Sequence, residues 1–143
     1  MLQTKGIGVD LLHLPRLTRL LTKRPSYAHR FARRILTKSE YRQFLKSTST
    51  TTTTMTGLGM VKWLGVRWAA KEAAFKAFGT RRGGLVWGDV EVGYYDSGQP
   101  FLWLFKGCGG GEGLEIAEGV VERRRGGLSI SHDGEYLVAM AMI

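Results

Sequence analysis

Apolar positions along this chain change their period near residue 79. Before it most recur at helical spacing; after it they alternate or run together as strands do. The exception comes first. Residues 5–12, KGIGVDLL, predict a short strand in which Gly6 and Gly8 alternate with Ile7 and Val9, leaving one face almost without side chains, where something can approach the backbone closely. Pro15 suits a helix's first turn, with Leu17, Leu20 and Leu21 as its apolar stripe. Thr37-Lys-Ser-Glu40 has the form of a capping box, so a helix is expected from about Lys38 to Lys46. Residues 47–57, STSTTTTTMTG, have little to bury and predict a flexible surface loop. The strongest helical segment is 61–78, VKWLGVRWAAKEAAFKAF, with Gly79 placed to end it.

Beyond it, Val90, Val92 and Tyr94 alternate with Asp89, Glu91 and Gly93 as in a half-exposed strand. Asp96-Ser-Gly-Gln99 reads as a turn and Pro100 as the start of the next strand. Phe101 to Phe105 is apolar on both faces and is expected to be buried on both. Gly107 to Gly113 reads as a connection, and 114–125 is ambiguous between helix and strand. Leu128–Ser131 and Tyr136–Ile143 are β-rich runs separated by His132-Asp-Gly134, a turn signal. The expectation is an α+β chain, residues 1–143 as one domain, helices mostly early and strands mostly late.

Composition adds limits. At 143 residues and 43% hydrophobic, the chain can bury one core. The single Cys108 excludes an internal disulfide and a cysteine-cluster metal site. No apolar run approaches the ~18–20 residues of a membrane helix, so no membrane partner is expected. Charge is distributed unevenly. Residues 1–46 hold eleven Lys/Arg against two acids, while the other 97 residues hold ten of each sign, so the whole +9 sits in the first third. Such a field favours an anionic partner. A non-catalytic basic module for RNA or for an acidic protein fits the charge alone. The chain has no RNP aromatics, no zinc-finger spacing and no GXXG loop of the KH type, and nucleic acid is therefore not the expected partner.

Two features could carry chemistry. Trp68, Glu72 and Lys76 fall at i, i+4 and i+8 and form one helical stripe. By itself that is an ordinary Glu–Lys pair worth a few tenths of a kcal/mol. Asp10 changes the picture, because a carboxylate at a strand end and one on a helix can together hold a hard divalent cation such as Mg²⁺. Ser129, Ser131 and His132 form a second cluster, donors at a strand end where anions are often held.

Four stretches carry a family resemblance. Gly6-Ile-Gly-Val-Asp10, Arg30-Phe-Ala-Arg-Arg-Ile-Leu-Thr37 followed by Glu40, Arg67-Trp-Ala-Ala-Lys-Glu-Ala-Ala-Phe-Lys-Ala-Phe-Gly-Thr80 and Leu128-Ser-Ile-Ser-His132 resemble, in order, the motifs of the holo-acyl-carrier-protein synthases, the short class of 4′-phosphopantetheinyl transferases. The resemblance implies that family's fold, a mainly antiparallel sheet packed against one long helix and shorter helices. It implies Mg²⁺-dependent transfer of 4′-phosphopantetheine from coenzyme A to a serine of an apo acyl carrier protein, leaving adenosine 3′,5′-bisphosphate, in the service of fatty acid synthesis. It implies a homotrimer with clefts between subunits.

Residue by residue, the resemblance makes Asp10 and Glu72 metal ligands and adds Lys76 to them as the catalytic set. It gives Arg67, Lys71, Lys76, Ser131 and His132 to coenzyme A, and Arg16, Arg30 and Arg34 to docking the acidic carrier. The chain departs from the family after the long helix, where Gly79-Thr80-Arg81-Arg82-Gly83-Gly84 replaces Gly-Thr-Gly, and in its Thr-rich and Gly107–Gly113 stretches. The Thr tract hints at a eukaryotic source, so the expected compartment is the mitochondrial matrix or the cytoplasm.

Overall fold

The computed structural model describes residues 6–49, 57–79, 85–105 and 123–143. Five strands build one sheet: β1 (Ile7–His13), β2 (Val90–Tyr94), β3 (Pro100–Phe105), β4 (Arg123–Asp133) and β5 (Tyr136–Met142). Their spatial order is β1-β5-β4-β3-β2, and every neighbouring pair is antiparallel. Strands β2 to β5 form a meander, and β1 closes it at the β5 edge. Helices α1 (Leu14–Thr22), α2 (Tyr27–Ile35), α3 (Lys38–Ser49) and α4 (Gly57–Phe78) occupy the connection between β1 and β2. The α+β expectation is met.

Helix α4 lies across β1 and β5. It can lie close because its buried side chains there are small: Ala69, Ala70, Ala73, Ala74 and Ala77. The bare face of β1 meets the same helix. A Cβ on Gly6 or Gly8 would collide with Ala77 O or Ala73 O, so what approaches this backbone is the chain's own long helix. Leu12, Leu102, Leu137, Ala139 and Ala141 complete the sheet side of the core, and Ile35, Phe44 and Leu64 fill it from the helices.

Several expectations hold locally. Thr37 N donates to Glu40 Oε2 at 2.9 Å and Glu40 N donates to Thr37 Oγ1 at 3.2 Å, the reciprocal pattern of a capping box. Gly79, at φ +82°, ends α4, its N–H donating to Phe75 O at 3.0 Å. Gly98, at φ +83°, turns β2 into β3. The β4–β5 hairpin pairs Asp133 with Tyr136, so its two-residue loop is Gly134-Glu135, one position later than Asp-Gly, with Gly134 at φ +54°.

Other expectations change. Residues 47–49 continue α3 instead of starting a loop, and α4 begins at Gly57, while 50–56 lie outside the described residues. Residues 80–84 and 106–122 also lie outside them, but Arg123–Arg125 are strand. Of β3's outer side chains only Phe101 is buried. Trp103 and Phe105 are half-buried under arginine, with the Arg125 guanidinium 4.8 Å from the Trp103 ring centre and the Arg123 guanidinium 5.8 Å from that of Phe105.

Candidate active site

Strand alternation points Gly8, Asp10 and Leu12 toward α4. The two glycines-and-alanines contact lets α4 pass near enough that Asp10 reaches its side chains. Lys76 Nζ donates to Asp10 Oδ1 at 2.7 Å and to Val9 O at 2.9 Å, so the ammonium is clamped to the strand at two points. Glu72, one turn earlier on α4, holds its proton more tightly than a free carboxylate does. Partial burial is the main cause, the Asp10 charge adds to it, and Lys76 opposes both. Lys76 thus touches Asp10, as the sequence could not show, and Glu72 lies near enough to feel the charge of both.

Trp68, the first residue of that stripe, serves the core. Its ring lies parallel to that of Phe31, with centres 4.8 Å apart. With Leu12, Arg16, Leu17 and Leu20 it lines an apolar cavity of about 160 Å³ beside the site.

The remaining candidates divide. Arg67 and Lys71 lie one turn apart on another face of α4, and both are buried. Lys71 Nζ donates to Glu40 Oε2 at 2.6 Å, to Ile35 O at 2.7 Å and to Trp87 O at 3.2 Å. An ammonium has three protons, and these acceptors use all of them. Arg67 Nη1 donates to Trp63 O at 3.2 Å, its guanidinium carbon sits 3.4 Å from the Trp63 ring centre, and its Nε lies 3.8 Å from Glu40 Oε1. Burial lowers the proton affinity of both cations, and the Glu40 charge works against that loss. These two, expected at coenzyme A phosphates, face the protein interior in this chain. The cause is that α4 is enclosed on most sides, so spacing alone could not say which of its cations turn inward.

Ser131 and His132 sit at the end of β4, both exposed, but alternation puts them on opposite faces. His132 is on the α4 side, where its Nε2 accepts from Lys62 Nζ at 2.9 Å. Ser131 shares the outer face with Val138. That outer face is apolar and open: Ile7 and Leu11 are 63% and 64% exposed, and Val9, Met140 and Met142 are about half exposed. Arg16, Arg30 and Arg34 are exposed on α1 and α2. The sequence reading missed Glu40's second role, Lys62 and the Trp63 shelf. For Glu40 a signal existed, since a capping-box carboxylate keeps acceptor capacity beyond the cap.

Comparisons with known proteins agree with one another. A sequence profile of the 4′-phosphopantetheinyl transferase superfamily matches residues 6–107. The chain is 43% identical over 150 residues to a protein of Aspergillus fumigatus named 4′-phosphopantetheinyl transferase B, mitochondrial, covering 96% of this chain and 92% of that one. It resembles the crystal structure of holo-[acyl-carrier-protein] synthase from Neisseria meningitidis with a TM-score of 0.65 at 26% identity, over 98% of both chains. It also resembles the Chronobacterium ammoniagenes ACPS–CoA complex with a TM-score of 0.58 at 25% identity, over 96% of this chain and 94% of that one.

Proposed function

This chain belongs to the 4′-phosphopantetheinyl transferase superfamily, and we propose that Asp10, Glu72 and Lys76 are the residues with which it performs that family's reaction. The reaction moves 4′-phosphopantetheine from coenzyme A to a serine hydroxyl of an apo acyl carrier protein. The observation that supports the residue assignment is the Lys76–Asp10 bond where β1 crosses α4, with Glu72 within reach of both charges.

The donor set fits Mg²⁺. Asp10 and Glu72 offer hard oxygen atoms, and Lys76 opposes the effect of Asp10's charge on Glu72. Two carboxylates suit an ion which fills the rest of its shell with phosphate oxygens and water. Asp10 and Glu72 would hold it, and its charge would neutralise the pyrophosphate as the bond breaks. The chain's own groups do the rest. Glu72, its proton affinity raised, is suited to accept the serine proton as that oxygen attacks the pantetheine-bearing phosphorus. Lys76, clamped by Val9 O, donates toward the departing phosphate of adenosine 3′,5′-bisphosphate.

His132 and the Lys62 ammonium bonded to it would meet the nucleotide phosphates. The open apolar face of β1 and β5 supports a homotrimer, since exposed patches of this kind mark interaction surfaces. It would also bring Ser131 into a cleft between copies. Arg16, Arg30 and Arg34 would receive the acidic carrier. Likeness to the Aspergillus fumigatus protein supports a mitochondrial location, and no described helix is long and apolar enough to cross a membrane. Incubation with coenzyme A, Mg²⁺ and an apo carrier tests the reading. One phosphopantetheine mass should be added to the carrier and the gain should vanish with EDTA. Absence of any gain across several carriers would refute it.

A further inference from the structure

Two contacts of very different character hold α4. On the sheet side Gly6 and Gly8 lie against the backbone of Ala73 and Ala77. That contact sets how close α4 lies to the strand, and Lys76, bonded to Val9 O and Asp10 Oδ1, crosses it. On another side Lys71, 0% exposed, is bonded to the end of α2 through Ile35 O, to the start of α3 through Glu40 and to the Trp87–Asp89 turn through Trp87 O. Glu40, 1% exposed, is itself fixed by Thr37 N at 2.9 Å and by Val92 N of β2 at 3.1 Å. Glu72 is the next residue after Lys71.

We propose that Lys71 and Glu40 are positioning residues: they peg the rotation of α4 and so aim Glu72 at Asp10. This rests on the assignment of Asp10 and Glu72 made above. Groups at a helix rim stand about 5–6 Å from its axis, so a 10° rotation moves Glu72's side chain by roughly 1 Å. A misplacement of that size costs up to about 100-fold in rate. The buried pair is thus retained for aim, because an apolar pair of like volume would serve stability as well.

Two variants separate aim from folding. Glu40→Asp keeps the charges but draws the peg back by one methylene. Glu40→Gln together with Lys71→Met removes both charges at once. Phe44→Leu, a core change in α3 that leaves the peg alone, is the control. The readouts are the midpoint of thermal unfolding, Mn²⁺ affinity by electron paramagnetic resonance in the presence of coenzyme A without carrier, and kcat against carrier KM. The expectation is that both peg variants weaken Mn²⁺ binding and kcat by about 10–100-fold, with carrier KM within twofold, while Phe44→Leu lowers the midpoint without these losses. Folded peg variants with Mn²⁺ affinity and kcat within twofold of the parent would overturn the inference, as would equal losses in Phe44→Leu. A parent that neither transfers phosphopantetheine nor binds Mn²⁺ would remove the functional reading itself, and the inference with it.

Discussion

Lys76 and Lys71 are five residues apart on one helix, yet their surroundings give them opposite duties. Lys76 is half in solvent and shares its protons between Val9 O and Asp10, so it can turn to a phosphate at small cost. Lys71 has no solvent and no free proton, so exchanging it removes a countercharge from the interior. Lys71→Ala alone should cost about 3 kcal/mol, because it leaves Glu40 buried with only Arg67, 3.8 Å away, as countercharge, measured by urea unfolding. Glu72 makes the complementary case. Without a metal, the folded chain keeps Glu72's proton to higher pH than the unfolded chain does, so stability falls as pH rises through that interval. Glu72→Gln removes the repulsion. It should raise the metal-free unfolding midpoint at pH 7 by about 1–2 °C while abolishing transfer. A fall in the midpoint would show that the two carboxylates do not burden the fold.

At the scale of elements, the site exists because a strand without side chains lets a helix of alanines come close. Gly8→Ala tests this. Its new Cβ meets Ala73 O and the Lys76 Cβ, so α4 must move away from β1, at a cost of at least about 1–3 kcal/mol and with loss of the Lys76–Asp10 contact. Calorimetry together with the transfer rate measures both. Much of this was legible beforehand. The Gly6/Gly8 alternation announced a close approach, the Thr37–Glu40 spacing announced a cap, and Gly79 announced the end of α4. Helix α2 has its buried residues Ala28, Phe31, Ala32 and Ile35 at helical spacing, but so short a segment, crowded with arginines, gives a weak periodic signal. The inward turn of Arg67 and Lys71 was illegible for a deeper reason. Glu40 lies 31 residues before Lys71, and pairing at that range is decided by packing rather than by local pattern. Ser131 and His132 looked like one cluster in sequence and were divided by the two-residue period of their own strand.

At the scale of the whole molecule, one layer of helices covers one face of the sheet and leaves Ile7, Val9, Leu11, Met140 and Met142 open on the other. Light scattering should find a particle near three times 15.9 kDa, and a fully active monomer would contradict that. The charge in the first third belongs to the same scale. Reversing Arg16 or Arg34 to Glu should raise the carrier KM and leave that of coenzyme A unchanged. Arg24→Glu and Arg42→Glu, with the same change in net charge, should do much less. Equal effects from all four would make docking diffuse. The central claim is that Asp10 and Glu72 act as one unit, and a double-mutant cycle on kcat/KM tests it most directly. Asp10→Ala and Glu72→Ala should each nearly abolish transfer in a folded protein, and the double variant should be little worse than either; losses that multiply would show that the two carboxylates work apart.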